Sequence, residues 1–134
     1  MKIDRRSIEK VLHQLNEAEN RRPKVSVAET VAGIDAVMAD DVEGWHNGVH
    51  TPNREAERVG ERVLFEMIPD YHRTFERVII DPPFAAFDWI IRGTMGGKVV
   101  EIVGCSFLEV NSQGKFRRYW LYMDMGAMVG LNLK

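Results

Sequence analysis

The stretch Arg117-Arg118-Tyr119-Trp120-Leu121-Tyr122-Met123-Asp124-Met125 carries the side chains best suited to acid/base chemistry. Read as a strand, it sets Trp120, Tyr122 and Asp124 on one face. If that face is the inner one, a carboxylate sits among aromatic and thioether groups. Loss of water there disfavours the anion and raises its pKa, which suits general acid or base work near neutral pH. The other role open to Asp124 is structural: Asp is a favoured cap, and Met125 to Gly130 has the composition of a short helix.

The histidines are His13, His46, His50 and His72. His13 falls on the polar side of the first predicted helix and reads as solvated. His46 and His50 stand four apart, a spacing that would serve one metal ion on a helix. The intervening Asn47-Gly48-Val49 argues against a helix there, and no zinc-protease motif is present. Trp45, His46 and His50 then read either as a pocket rim or as plain loop packing. His72 follows Pro69-Asp70-Tyr71 at a helix-to-strand junction, placed to reach a pocket mouth or to bond a backbone carbonyl.

Asp88 and Arg92 share a strand face, with Ile90 between them. They read as a polar pair inside a cavity or as a cross-strand salt bridge outside it, and the second reading is the simpler. Phe87 and Trp89 take the opposite face as core. Cys105, in an apolar strand without a Cys-His dyad, reads as a small buried hydrophobe. No Gly-x-Gly-x-x-Gly, phosphate-binding loop, Gly-x-Ser-x-Gly or His-Glu-x-x-His pattern occurs, which counts against a nucleotide cofactor or a serine hydrolase.

The elements that must position these residues fall into two halves. Ile8, Val11, Leu12, Leu15 and Ala18 repeat at three and four, predicting a helix capped by Asp4 and closed by Pro23. Ser26-Val27-Ala28-Glu29 has capping-box spacing, and Val27, Val31, Ile34 and Met38 then share a face up to Asp40-Asp41. A third helix starts at Thr51-Pro52-Asn53, with Val59, Val63 and Met67 inward and its glutamates and arginines outward, until Pro69. Beyond Tyr71 come four β-rich runs: Phe75 to Ile80, Phe84 to Thr94, Val99 to Val110 and Phe116 to Asp124. Their short, glycine-rich connections require antiparallel neighbours. Helices followed by an antiparallel meander is the α+β pattern. Long strands with glycines at which to bend can curl around a helix and enclose an apolar hollow, a natural small-molecule site.

The chain has 134 residues, one domain's worth, so a single domain over 1–134 is expected. Eighteen basic against twenty acidic residues give a net charge of −2, which leaves no basic surplus for nucleic acid. No stretch approaches the roughly 20 apolar residues of a membrane span. The N-terminus lacks the apolar run of a secretory signal, and a single cysteine fits a reducing, cytoplasmic setting.

Several short stretches, in order, resemble the SnoaL-like polyketide cyclase branch of the nuclear transport factor 2-like superfamily. They are Val49-His50-Thr51-Pro52, Pro69-Asp70-Tyr71-His72, Arg92-Gly93-Thr94, Gly114-Lys115-Phe116, and Trp120 and Asp124 near the end of the last strand. The resemblance spans about residues 8–131. It implies a cone-shaped α+β barrel, in which a curved antiparallel sheet wraps three N-terminal helices around an internal apolar pocket. It further implies a homodimer and chemistry that needs no metal or organic cofactor. Asp124 stands where the cyclase branch carries its acid/base residue. Two departures stand out: Met95 occupies the place of a histidine after the Gly-Thr pair, and the following connection is cut to Met95-Gly96-Gly97-Lys98.

The function so implied is a cofactor-independent lyase or isomerase acting on a small hydrophobic carbonyl compound. Asp124 would be the acid/base, and Tyr122 or His72 would bond the developing enolate oxygen. Trp45, His46, His50, Tyr71, Trp89, Arg92 and Trp120 would contact the substrate. The alternatives are a non-catalytic pocket protein of the same fold, or a dehydratase or epoxide-hydrolase-type enzyme in which Asp88 and Arg92 point inward with Asp124.

Overall fold

A computed structural model describes residues 3–124. The chain runs α1 (Arg5–Glu19), α2 (Val27–Asp35), β1 (Met38–His46), β2 (Val49–Thr51), α3 (Arg54–Met67), β3 (His72–Asp81), β4 (Phe84–Met95), β5 (Lys98–Val110) and β6 (Phe116–Met123). The short helix suggested for Met125 to Gly130 lies outside the described residues.

The first two helices form for the reasons their sequences give. Asp4 accepts a hydrogen bond from the Ser7 amide, and Ile8, Val11, Leu12, Leu15 and Ala18 are buried. Ser26 accepts from the Glu29 amide at the start of α2 while its hydroxyl bonds the Glu29 carboxylate. The second helix is shorter than its apolar spacing suggests. It ends at Asp35, and Met38 opens strand β1 instead of closing the helical stripe. Asn47 and Gly48, both at positive φ, make a two-residue turn that folds β2 back on β1. Asn-Gly is the strongest short hairpin signal, and it pairs Trp45 with His50 across the strands.

All six strands join one curved, unclosed sheet in the order β2-β1-β6-β5-β4-β3. The meander β3 to β6 is antiparallel as expected. β1, however, pairs in parallel with β6, so the sheet is mixed. Alternation along the long strands sends Phe87, Trp89 and Ile91 of β4, and Val100, Ile102 and Leu108 of β5, into one buried cluster with the helices.

Helix α3 departs most from its sequence reading. Val59, Val63 and Met67 face solvent, while Glu57, Phe65 and the following Ile68 are buried. Phe65 packs edge-on against Tyr71 with ring centroids 5.0 Å apart. The larger Phe65 and Ile68 take the core side, and helical periodicity then brings Glu57, Glu61 and Leu64 round to the same side.

Two of the matched motifs meet in space. Asp70 accepts from both the Thr94 amide (2.7 Å) and the Thr94 hydroxyl (2.9 Å), which ties the α3–β3 junction to β4. Gly93 makes this approach possible, because a Cβ there would lie 2.4 Å from Ile68 Cγ2. Gly93→Ala should therefore destabilise the fold by about 1–3 kcal/mol in urea unfolding. Gly60→Ala, which meets nothing within 4 Å in the interior of α3, should raise stability by up to about 1 kcal/mol.

Candidate functional site

Between the inner face of the sheet and the three helices lies a cavity of about 320 Å³. Its walls are mainly apolar, with Leu15 of α1, Ile34 of α2, Leu64 of α3, and Leu108, Phe116 and Leu121 of the sheet. Into these walls the fold sets a small group of polar side chains, as expected of a ligand site.

At the β1 side stand His46, Glu57, Thr51 and Tyr119. His46 Nε2 is 2.7 Å from the Tyr119 hydroxyl, 3.3 Å from Glu57 Oε1 and 3.4 Å from Glu57 Oε2. The Thr51 hydroxyl lies against Glu57 Oε1 and the Gly44 carbonyl. The side chain of Glu57 is 1% exposed and that of His46 38% exposed, so the pair runs from the interior to the cavity's opening. Gly44 is part of this construction. A Cβ there would stand 2.8 Å from the Tyr119 ring and 2.9 Å from Glu57 Oε1, so only glycine lets both side chains close on His46.

Across the sheet, at its β3 edge, a second polar group lines the same cavity. Arg73 forms a buried ion pair with Glu19, and the Tyr71 hydroxyl donates to Glu19 Oε1 at 3.4 Å. Burial pushes the Glu19 carboxyl above the usual carboxylate range, with the Arg73 guanidinium pulling the other way. Burial and the neighbouring Glu19 charge likewise raise Tyr71.

Glu61, one turn after Glu57 on α3, also faces the cavity. Its Oε1 is buried without a hydrogen-bond partner among the described residues. Desolvation first, then the nearby Glu19, Glu57 and Asp35 charges, push its carboxyl up to about 9, against a smaller opposing pull from Arg58. At neutral pH this side chain is a carboxylic acid, a hydrogen-bond donor.

Of the residues singled out in the sequence, His46 lines this cavity, and Tyr71 stands one hydrogen bond behind it through Glu19. Strand alternation in β6 has the opposite phase from the one considered: Tyr119, Leu121 and Met123 face inward, and Trp120, Tyr122 and Asp124 face outward. The phase follows from the register, which pairs Phe107, Cys105 and Val103 of β5's outer face with that set. Asp124 is exposed and borders a shallow outer depression with Glu76, Asp88 and Tyr122. Trp45 stacks between Trp120, at 5.2 Å, and His50, at 4.9 Å, on this outer side. Arg92 bonds Glu101, and Asp88 accepts from Arg77, so these are the cross-strand pairs of the simpler reading. His72 is exposed at the start of β3. Trp89 is core, donating to the Ser106 hydroxyl at 2.9 Å.

The polar residues that the sequence reading passed over are Glu57, Glu61, Thr51, Tyr119, Glu19 and Arg73. Their one visible signal was the spacing of Glu57, Glu61 and Leu64 at four and three, a second possible helix face. Among the described residues no three His, Cys, Asp or Glu side chains converge as metal ligands. No helix among them is long and apolar enough to cross a membrane.

A raised carboxyl pKa has a direct consequence for stability. Glu61 binds its proton more tightly folded than unfolded, so stability falls as pH rises from about 4.5 toward about 9. Glu61→Gln, a neutral replacement of the same shape, should flatten that decline. Its thermal midpoint should exceed that of the parent at pH 9, with the difference shrinking at pH 5.

Residues 17–119 match the SnoaL-like domain family. No curated protein sequence matches the chain. Among solved structures, AclR from Streptomyces galilaeus, a candidate hydroxylase, superposes with a TM-score of 0.82 at 13% identity, covering 98% of this chain and 99% of that one. IdmH from Streptomyces antibioticus, a candidate polyketide cyclase, gives 0.75 at 17% identity, covering 94% and 98%. An LEH-like epoxide hydrolase from M. tuberculosis gives 0.70 at 16% identity, covering 92% and 86%. The fold is thus the cone of the nuclear transport factor 2-like superfamily, and the chain belongs to the SnoaL-like domain family.

Proposed function

We propose that the protein is a cofactor-independent enzyme of the lyase or isomerase type, acting on a small hydrophobic carbonyl compound inside the cone. The observation that carries this reading is the His46–Glu57–Tyr119 group, a base, its orienting carboxylate and a hydroxyl donor within hydrogen-bond reach in an apolar cavity. With Nε2 protonated and donating to Glu57, the other ring nitrogen, Nδ1, keeps the lone pair that takes a proton from the carbon beside the carbonyl. The Glu57 carboxylate then stabilises the imidazolium. The Tyr119 hydroxyl donates to the oxygen on which enolate charge develops, and the apolar walls hold the flexible chain in a reactive shape. In this reading the acid/base work falls to His46 inside the cavity and not to Asp124 outside it.

Proton abstraction can be read without knowing the natural substrate, as deuterium uptake beside the carbonyl of a panel of aryl ketones in D₂O. His46→Gln should slow exchange about 10²–10⁴-fold, and Tyr119→Phe about 10²-fold, with the cavity intact. The aspartate role implied by the family resemblance predicts the reverse, with exchange lost in Asp124→Asn and kept in His46→Gln. Ketones that bind without any exchange above buffer would leave a binding protein and no enzyme.

The partner proposed for the outer face is a second copy of the chain. Val103, Phe107 and Tyr122 are each 47% exposed there, flanked by the Trp45–Trp120 stack, and no helix among the described residues covers this side of the sheet. Sedimentation should give a homodimer, and Phe107→Glu should give the monomer of 15.4 kDa. A monomeric parent protein would contradict the pairing.

A further inference from the structure

Glu61 has no role in the proton abstraction above, yet it lines the cavity with a buried oxygen and a raised carboxyl pKa. Four features define it. It projects from α3 into an apolar chamber, it carries an oxygen shut off from solvent, that oxygen has no hydrogen-bond partner among the described residues, and the charges around it are mostly negative. The groups that face it are Glu19 of α1, Asp35 at the end of α2, Glu57 and Arg58 of its own helix, and Tyr71 beyond Glu19. His46 and Arg73 line the same chamber. Arg73 is committed to Glu19, and Arg58 to Asp35 at 2.8 Å. Among the described residues, these two neighbouring cations are thus paired elsewhere and neither forms an ion pair with Glu61.

A buried polar atom without a partner destabilises a fold, and the cost is recovered if a bound molecule supplies the missing partner. A carboxylic acid offers that molecule an O–H, and the apolar walls offer the rest of it dispersion contacts. We propose that the Glu61 carboxyl group donates a hydrogen bond to an oxygen of the ligand, which makes the cavity selective for neutral, oxygen-bearing apolar molecules over carboxylates and ammonium ions of the same shape. A carboxylate would bring a negative charge into an apolar chamber beside Glu57, where the Arg73 guanidinium is already committed to Glu19. An ammonium ion would require Glu61 to give up its proton in a site that disfavours the anion. This inference deepens the reading of the cavity as a carbonyl site and rests on it, but it concerns recognition and not turnover.

The test uses four probes that share one ring system: 1-acetonaphthone, 1-naphthoate, the permanently charged 1-naphthyltrimethylammonium and naphthalene itself. Binding to the full-length protein is measured by calorimetry at pH 7 and pH 10. At pH 7 the ketone should bind about tenfold or more tighter than either ion, the worth of one good hydrogen bond plus the avoided charge. Its affinity should fall about tenfold at pH 10, where Glu61 has ionised, while the ammonium probe gains. Glu61→Gln keeps an N–H donor and cannot titrate, so it should retain ketone binding and lose the pH dependence. Glu61→Leu should bind naphthalene as before and the ketone about tenfold more weakly. Binding of naphthalene together with equal, pH-independent affinities for the other three in parent and variants would overturn the assignment to Glu61 while leaving the cavity as a ligand site. Failure of all four to bind would overturn the cavity reading, and this inference with it.

Discussion

Burying carboxyl groups under an apolar sheet is the constraint from which the rest of this structure follows. Glu57 and Glu61 stand one helical turn apart on α3, and both face a chamber walled by aliphatic and aromatic side chains. A buried carboxyl group needs a partner or a proton. Glu57 has the partner, in His46 and Thr51; Glu61 has the proton. The same helix turns Val59 and Val63 to solvent, so the ordinary rule of apolar inside and charged outside is inverted over the turns from Glu57 to Val63. Local rules broken without a stability gain mark functional sites, and here the inversion surrounds the cavity.

The scaffold holds this arrangement through close backbone approaches. Gly44 admits Tyr119 and Glu57 to the same spot beside β1, and the parallel pairing of β1 with β6 brings His46 level with Leu121 and so next to Tyr119. At the far end, Asp70 and Thr94 lock the exit of α3 to β4. Both ends of α3 are thereby fixed: Asn53 caps its first turn, and Ile68 beneath Gly93 ends it. A helix held at both ends cannot roll to hide its carboxylates. The scaffold itself thus aims the polar side chains at the chamber, which is the preorganisation that acid/base chemistry requires.

Much of the fold was legible in the sequence because its signals are periodic. The α1 stripe, the capping box at Ser26 and the glycine-turned meander from β3 to β6 each follow from spacing alone. Strand β1 was not legible. Its Met38-Ala39-Asp40-Asp41 opening has no alternation, because a register shift between Met38 and Glu43 breaks the pairing with β6. The site was harder still. For a strand the sequence gives two faces but not which one is inner, and in β6 a one-residue change of phase exchanges Asp124 for Met123 and Trp120 for Tyr119. On α3 the apolar stripe Val59–Val63–Met67 competes with Leu64, Phe65 and Ile68. Packing against Tyr71 decides between them, a long-range contact that no local pattern reveals.

A carboxylic acid inside the cavity is visible in the protonation state of Glu61 itself. Carbon-13 NMR of protein labelled at the glutamate side-chain carboxyls, with Glu61→Gln supplying the assignment, follows that group through a pH titration. The Glu61 resonance should stay in its protonated position through neutral pH and titrate near 9. A resonance that titrates near 4.5, the ordinary value for an exposed glutamate, would contradict it.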